Sequence, residues 1–237
     1  MTTALVSKEF IAQFGDAFKA VGVAAGKPVT FMTLPAEKGA RLSQADCDRV
    51  ECIFLDRDMR FDNQLYNAYT DALLRMTHLK WVHYTSSGIG QQLHVSELNA
   101  KGVITTSSTG SNAEPVAQTG ITGLMMLARG FGSHLRGQCK HQWKPLRGAA
   151  LPEDLRGQTV LLIGVGAIGK KFTGYAHAFG LKVIGVRRSP RQADDTVDEL
   201  HPPSTLPALY PRADGWCCAA RSPKTRIISS MPTPLAA

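Results

Sequence analysis

Three glycines follow a short apolar stretch in the second half of the chain. Gly164, Gly166 and Gly169 come directly after TVLLI and have the spacing GxGxxG. At such a turn the first glycine permits a tight bend, the second lets the backbone approach a pyrophosphate, and the third allows close packing of helix on strand. The motif predicts a dinucleotide site; an ordinary structural turn is the alternative, because glycines also punctuate common loops.

The residues after the glycines favour the dinucleotide interpretation. A helix-forming run, KKFTGYAHAFG, follows the turn, and a second apolar strand begins at Leu181. Strand, turn, helix and strand make a βαβ unit of the length that dinucleotide sites use. Ala167 and Ile168 lie at the predicted helix N-terminus, where unpaired N–H groups and the positive end of the helix dipole attract phosphate. We therefore expect both residues to bind the cofactor together with the glycines.

The end of the second predicted strand decides which cofactor is preferred. An acidic residue there would accept hydrogen bonds from the ribose 2′-hydroxyl of NAD, but this chain has Arg187, Arg188 and Ser189. A guanidinium cannot accept those bonds, whereas it can make bidentate, charge-assisted bonds to a 2′-phosphate. The sequence thus predicts NADP(H) in preference to NAD(H), with two solvated loop arginines as the alternative.

The elements that must position these residues alternate between strand-like and helix-like segments. The segments before the glycine turn are VTFMTL (29–34), VECIFLD (50–56), LYNAYTDALLRM (65–76), WVHYTS (81–86) and VITTSS (103–108). Short apolar strands separated by helices predict an α/β fold around parallel sheets. Apolar residues then recur at helical spacing over residues 113–135, which predicts one long helix. We place the first domain at residues 1–108 and the second at 109–237.

Composition narrows the class of protein. With 237 residues and 43% hydrophobic residues, the chain can form packed cores, and no apolar run reaches the roughly 20 residues that a membrane span needs. The N-terminal stretch lacks a basic region followed by an apolar one, so we expect a cytoplasmic location. The five cysteines show no CxxC spacing, which predicts reduced thiols and neither a disulfide framework nor a metal site.

The charge is unevenly distributed along the chain. Residues 1–100 hold ten Lys or Arg against eleven Asp or Glu, whereas residues 101–237 hold seventeen against eight. A basic half can bind a phosphorylated ligand or nucleic acid, or it can be a solvated surface. Because no stacked-aromatic module, helix-turn-helix pattern or Lys/Arg block accompanies it, we expect no nucleic-acid partner.

Several stretches together resemble the D-isomer-specific 2-hydroxyacid dehydrogenases, particularly the glyoxylate/hydroxypyruvate reductase-like members. The matching stretches are LKWVHYTSSGIG (79–90), KGVITTSSTGSNAEPVAQTGITGLMMLARG (101–130), the solitary Trp143, LRGQTVLLIGVGAIGKKFTGYAHAFGLKVIGVRRSP (155–190) and LPALYPRAD (206–214). The resemblance covers nearly all of residues 25–214. It implies a flavodoxin-like N-terminal lobe, a Rossmann lobe, and hydride transfer between a nicotinamide and a 2-oxo or 2-hydroxy acid.

The resemblance also implies a substrate-binding loop. Ser87, Gly88 and Ile89 match the loop whose backbone amides hold the substrate carboxylate in that family. Amides in a glycine-containing turn can form an anion-binding nest, which gives the assignment a physical basis. A plain turn at the end of a strand explains the same residues.

The helix that begins at Ala113 matches the long helix with which family members dimerise. Its apolar Met125 and Met126 would then face a partner, which predicts a homodimer through residues 113–135. A helix buried in the core of its own domain is the alternative.

The catalytic residues that the resemblance implies are not found. The family uses an arginine to clamp the substrate and a histidine, tuned by a glutamate, to transfer the hydroxyl proton, all on loops after the second Rossmann strand. Only 73 residues follow Gly164, which predicts an incomplete Rossmann lobe. None of the seven histidines matches the catalytic position, and His83 lies within a predicted strand, where a packed core histidine is expected. We therefore assign no catalytic residue.

The last stretch, residues 214–237, departs from the family pattern. Cys217, Cys218 and a Ser/Pro/Thr-rich tail stand where an apolar strand and a Pro-Leu-Thr turn are expected. A one-base shift near codon 214 is our hypothesis for this tail, and it would leave a sheet edge unpaired and apolar surface exposed. The sequence thus predicts an NADP(H)-dependent oxidoreductase that is catalytically incomplete. A non-catalytic dinucleotide-binding or dimerisation module is the alternative.

Overall fold

The computed structural model describes residues 1–37, 39–86 and 94–220, and the chain divides into two compact units. The first unit is Met1–Ser111 and the second is Asn112–Ala237. The predicted domain boundary, between residues 108 and 109, lies just before this division. Each unit is built on a parallel sheet with helices packed against it, which confirms the predicted α/β fold class.

The first unit alternates strands and helices. Its elements in chain order are β1 (Thr2–Leu5), α1 (Lys8–Ala24), β2 (Val29–Met32), α2 (Gln44–Cys47), β3 (Cys52–Leu55), α3 (Arg57–Phe61), α4 (Asn63–Arg75), β4 (Trp81–Tyr84), α5 (Val95–Ala100) and β5 (Ile104–Ser107). The five strands lie in the order β2-β1-β3-β4-β5, with every neighbouring pair parallel. This is the strand order of flavodoxin-like sheets, as the resemblance implies.

Alternating side chains of these strands build two cores. On one face, Ile53 and Val82 are buried together with Tyr69 and Leu73 of α4. On the other face, Phe10 of α1 packs among the side chains of β1, β2 and β3. Because successive strand residues point to opposite faces, a four-residue strand suffices to contribute to both cores.

The second unit begins with helices and continues with a sheet. Its elements are α6 (Ala113–Ala128), α7 (Phe131–Cys139), a 3₁₀ turn (Gly148–Ala150), β6 (Thr159–Ile163), α8 (Ala167–Ala178), β7 (Lys182–Val186), β8 (Glu199–His201), α9 (Leu206–Leu209) flanked by the 3₁₀ turns Pro203–Thr205 and Tyr210–Arg212, and β9 (Gly215–Cys218). The strand order is β8-β7-β6-β9, all parallel. In the described residues this is the 3-2-1-4 arrangement of the dinucleotide-binding doubly wound sheet.

Strand β9 corrects the expectation that residues 214–237 lack the strand that the family pattern places after residue 213. Gly215 pairs with Val160 and Cys218 with Ile163, so β6 has a parallel neighbour on each side. The segment can form a strand because its side chains alternate: Cys217 contacts the core, whereas Trp216 and Cys218 are exposed. Alternation of partly buried and exposed side chains is therefore sufficient for β9 to pair with β6, although the segment lacks the apolar run that we expected.

The predicted single helix over residues 113–135 is also corrected. The chain forms α6 and α7, which are separated at Gly130, a residue in the left-handed conformation with φ +65°. A left-handed residue cannot continue an α-helix, so the apolar periodicity on both sides of Gly130 belongs to two helices.

The described part of the chain contains no helix that is both long and apolar enough to cross a membrane. Over those same residues, no cluster of three or more His, Cys, Asp or Glu side chains is arranged to hold a metal ion.

Candidate functional site

The turn after β6 begins with a glycine that no other residue can replace without strain. Gly164 has φ +103°, and its N–H donates to the carbonyl oxygen of Val186 at the end of β7. A Cβ on Gly164 would lie 2.6 Å from the amide nitrogen of Ala220, which follows β9. Both the left-handed backbone and the close approach of the neighbouring segment require glycine here.

The second glycine opens the start of α8 to a ligand. Gly166 is the N-cap residue of α8, and no side chain accepts a hydrogen bond at that cap. A Cβ built on Gly166 would meet no atom within 4 Å. The backbone of Gly166 therefore borders free space at the N-terminus of α8, where the N–H groups of the first turn and the helix dipole favour an anion.

The third glycine brings α8 against the turn. A side chain on Gly169 would collide with the carbonyl oxygen of Gly164, and its Cβ would also lie 3.4 Å from a methyl group of Leu162. Behind it, Phe172 and Ala176 are buried against β6 and β7. Because Gly169 has no side chain, α8 packs close to β6. The N-terminal residues of α8 therefore lie beside the open side of the glycine turn.

Arg187 follows β7 at the position that sequence reasoning assigned to cofactor discrimination. Its guanidinium donates from Nη1 to Asp195 Oδ1 at 2.9 Å and from Nη2 to Asp195 Oδ2 at 2.6 Å. It also donates to three carbonyl oxygens, from Nη1 to Val165 at 3.1 Å, from Nε to Ser189 at 3.2 Å and from Nη2 to Pro190. A guanidinium has five N–H donors. These five hydrogen bonds therefore give every donor of Arg187 an acceptor within the protein.

Asp195 is the residue of this site that the sequence analysis missed. Its side chain is fully buried, and its Oδ2 also accepts the N–H of Gln192 at 2.7 Å. Hydrogen bonds from Arg187 and the Gln192 amide lower the pKa of Asp195 to about 2, so the carboxylate is charged at neutral pH. The adjacent pair Asp194 and Asp195, soon after the two arginines, was the available sequence signal for an ion pair.

Lys170 connects the first turn of α8 to the same segment. Its Nζ lies 2.6 Å from Asp194 Oδ2 and 3.6 Å from Asp195 Oδ1, and it donates to Gln192 Oε1 at 3.3 Å. The segment between β7 and β8 is thereby fastened to the helix that begins at the glycine turn. The charges of Lys170 and Arg187 are balanced by those of Asp194 and Asp195.

Arg188 and Ser189 complete the predicted group, and both are exposed. In the described parts of the chain, the guanidinium of Arg188 has no hydrogen bond or ion pair with another residue. The end of β7 therefore presents the unpaired cation of Arg188 and the hydroxyl of Ser189 to solvent. Both lie next to Arg187, whose charge is paired with that of Asp195. These two side chains could receive an anionic group of a ligand.

The other predicted site residues lie in the first unit. Ser87, Gly88 and Ile89 fall outside the described residues, so their assignment to a substrate carboxylate stays a prediction. His83 lies in β4, half-buried, with Nδ1 2.9 Å from the hydroxyl of Thr106 and Nε2 2.9 Å from that of Ser108. Burial lowers the pKa of His83, which favours the neutral ring expected of a packed histidine.

The second unit thus combines an open glycine turn at a helix N-terminus with a basic, hydroxyl-bearing strand end. The first feature suits a pyrophosphate and the second suits the adenosine side of a dinucleotide. The described residues fit this class of cofactor at the turn, where a side chain would fill the space at Gly166. They do not supply an acid at the end of β7 for a ribose hydroxyl.

Comparison with known families agrees with this geometry. Residues 121–230 match the family model described as the NAD binding domain of the D-isomer specific 2-hydroxyacid dehydrogenases. The match contains the glycine turn and the segment after β7. It also includes residues 214–230, for which the sequence pattern predicted an unrelated tail.

Solved structures share the fold at low sequence identity. The apo D-mandelate dehydrogenase of Rhodotorula graminis is 16% identical, with a TM-score of 0.72 over 94% of this chain and 67% of that one. A D-isomer specific 2-hydroxyacid dehydrogenase family protein from Aeromonas salmonicida is 19% identical, with a TM-score of 0.67 over 94% and 64%. The D-lactate dehydrogenase of Aquifex aeolicus, crystallised with NAD and lactic acid, is 18% identical, with a TM-score of 0.63 over 92% and 60%.

The chain spans less than two thirds of the length of the Aquifex and Aeromonas proteins. At these identities the structures establish the fold alone.

Proposed function

We propose that this chain binds a nicotinamide dinucleotide at the Gly164–Gly169 turn, because residues 121–230 match the family model of the NAD binding domain of the D-isomer specific 2-hydroxyacid dehydrogenases. The observation that carries the proposal is the open space at Gly166 beside the uncapped start of α8. When bound, the cofactor supplies a hydride donor or acceptor. The chain's backbone at Gly166, Ala167 and Ile168 holds the pyrophosphate.

We further propose that the cofactor is NADP(H) in preference to NAD(H). The support is the absence of an acid directly after β7 and the presence there of the exposed Arg188 and Ser189. An arginine can make charge-assisted bonds to a 2′-phosphate, and a serine hydroxyl can donate one more. Arg187, the other arginine of the sequence prediction, contributes positive potential only to the extent that Asp195 leaves it uncompensated.

The reaction that we propose from the match to the family model is reduction of a 2-oxo acid, such as glyoxylate or hydroxypyruvate, to the 2-hydroxy acid. Among the seven histidines, His94, His177 and His201 each lie within 3 Å of a carboxylate of their own unit, and none matches the family's proton donor. For these 237 residues we therefore expect cofactor binding without turnover. A non-catalytic binding or dimerisation module remains the second candidate.

Calorimetric titration with NADP⁺ and NAD⁺, combined with an NADPH oxidation assay, tests the proposal. We expect saturable binding of both cofactors, tighter for NADP⁺, and no oxidation of NADPH by glyoxylate or hydroxypyruvate above a no-protein blank. Turnover above the blank would establish the enzyme and refute the non-catalytic module. A chain that binds neither cofactor would refute the proposed function altogether.

We propose that the exposed faces of α6 and α7 form a homodimer interface. Ala117 and Ile121 of α6 are buried in the second unit's core, whereas apolar side chains on the other faces are exposed, most strongly Leu127 at 83%. The other exposed apolar side chains in this region are Val116, Met126, Phe131, Leu135 and Trp143. Met125, which was also predicted to face a partner, instead packs against the core.

Light scattering after size-exclusion chromatography tests this interface. Leu127→Lys should convert a dimer to a monomer, because it places a charge at the most exposed apolar position of α6. Val21→Lys, at an exposed apolar position of α1 in the other unit, is the matched control and should leave the dimer intact. A monomeric unmodified chain would exclude the homodimer.

We propose a cytoplasmic location from the state of the cysteines. All five are free thiols, and two of them, Cys139 and Cys218, are exposed. Exposed unpaired thiols are typical of reducing compartments. Fractionation of cells that produce the protein would contradict this location if the chain were recovered outside the cytoplasm.

A further inference from the structure

The segment between β7 and β8 contains a buried ion pair at the point where the cofactor's ribose is expected. The side chain of Arg187 is 12% exposed and that of Asp195 is fully buried, and the two meet through two hydrogen bonds. The remaining donors of Arg187 bind the carbonyl oxygens of Val165, Ser189 and Pro190. Arg187 therefore has no donor left for a ligand in this arrangement.

The ion pair connects two parts of the candidate site. Val165 lies between the first two glycines of the turn, and its carbonyl oxygen accepts from Arg187 Nη1 at 3.1 Å. Asp195 in turn accepts from the backbone of Gln192 at 2.7 Å, which fixes the loop after the arginines. One arginine thus sets the position of the glycine turn relative to the loop that carries Arg188 and Ser189.

We propose that Asp195 is a specificity-determining residue, because its carboxylate occupies the guanidinium that would otherwise bind the cofactor's 2′-phosphate. Arg187 then acts as a positioning residue, and Arg188 is the cation that discriminates NADP from NAD. This inference rests on the proposed function. It assigns to Asp195 a role that no acid or base motif in the sequence indicates.

The physical basis is competition between two anions for one guanidinium. A 2′-phosphate and a carboxylate both use the bidentate geometry of arginine, so only one of them can be bound at a time. Asp195 is part of the chain and already ordered, whereas the phosphate must be brought from water and ordered on binding. The carboxylate therefore limits the preference for NADP to what Arg188 and Ser189 provide.

The decisive variant is Asp195→Asn, which keeps the shape of the side chain and removes its charge. We expect its affinity for NADP⁺ to rise about tenfold, as one newly available charge-assisted contact would give, with its affinity for NAD⁺ within about threefold of the parent. Adding Arg187→Gln to Asp195→Asn should abolish the gain. The matched control is Asp194→Asn, because Asp194 is 72% exposed, pairs with Lys170 and does not contact Arg187.

Calorimetry with NADP⁺ and NAD⁺ on the full chain gives both affinities for each variant. Equal weakening of both cofactors by Asp195→Asn would reveal a purely structural residue and overturn the inference. A gain that persists without Arg187, or that Asp194→Asn reproduces, would also overturn it. If the parent chain and all variants bind neither cofactor, the proposed function fails, and the inference fails with it; binding with an unchanged cofactor ratio refutes the inference alone.

Discussion

The glycine turn and the segment after β7 lie on either side of the same candidate site, but they are specified in different ways. At the turn, the backbone itself decides which residues are allowed: Gly164 has a left-handed conformation and Gly169 has no room for a side chain. After β7, the backbone tolerates many residues, and the behaviour of Arg187 depends on a carboxylate eight positions away.

This difference teaches how far a local motif can be trusted. A glycine requirement follows from sterics within a few residues, so the motif and its geometry agree. The function of a charged side chain depends on which partner reaches it, and a spacing rule contains no information about competing partners. The glycine turn and the charged segment should therefore respond differently to substitution.

The largest effect is expected from Gly169→Ala. The added methyl group would collide with the carbonyl oxygen of Gly164, so α8 must move away from β6. We expect a loss of about 1–3 kcal/mol in the free energy of unfolding, together with loss of dinucleotide binding. Urea denaturation and calorimetry measure the two quantities.

Gly174→Ala is the control for that variant. Gly174 lies in the same helix, and a Cβ there would meet no atom within 4 Å, so alanine should stabilise α8 slightly. If both variants unfold at the same urea concentration, the steric account of Gly169 is wrong.

The next largest effect is expected from Gly166→Val, which should weaken cofactor binding without reducing the stability of the fold. Gly166 has φ −101°, a conformation open to other residues, and free space surrounds its missing side chain. Gly166→Val should therefore keep the unfolding midpoint while reducing the affinity for both NADP⁺ and NAD⁺ by about tenfold or more, because the side chain would fill the pyrophosphate's position. Unchanged affinity for both cofactors would place the phosphates elsewhere.

A smaller and more selective effect is expected from Arg188→Gln. Removal of the unpaired cation should reduce NADP⁺ affinity about tenfold and leave NAD⁺ affinity within about threefold, since only NADP carries the 2′-phosphate. Lys182→Gln removes an exposed cation at the other end of β7 and serves as the control. Equal losses for both variants would mean that general positive potential, rather than a contact of Arg188, attracts the cofactor.

The smallest effect concerns stability in acid. The pKa of Asp195 falls from its ordinary 3.8 to about 2 in the folded chain, so its ion pair stabilises the fold fully above pH 3.8. That contribution is lost as the pH falls through 2, where the folded chain also takes up the proton. The difference in melting temperature between the parent and Asp195→Asn should shrink over this interval. A constant difference would show that the carboxylate's charge does not stabilise the fold.

Much of the fold could be predicted from residue patterns. The strands around Ile53, Val82 and Leu161 were recognised because apolar β-branched or aromatic runs between turn residues have few alternatives to a buried strand. The βαβ unit was recognised because the glycine spacing, the helix and the second strand agree with one another. In the site, the same agreement placed Gly164, Gly166 and Gly169 correctly around a turn.

Other features could not be predicted because they depend on distant partners. Strand β9 owes its pairing to β6, and nothing in GWCC by itself demands a strand. The break at Gly130 depends on a left-handed backbone that glycine permits but does not require. The role of Asp195 depends on a contact with Arg187 across a loop: the acidic pair after the two arginines indicates an ion pair, but it does not reveal which acid meets which arginine.

The pairing of β9 with β6 has a consequence for how the second unit is made. Val160 of β6 pairs with Gly215 of β9, which is more than fifty residues later in the chain. The second edge of β6 can therefore be paired only after those residues have left the ribosome. Such a long-range contact has a high entropic cost of loop closure and slows folding. Until β9 is made, the edge of β6 opposite β7 has no strand to pair with, and such a bare edge can pair with a neighbouring chain.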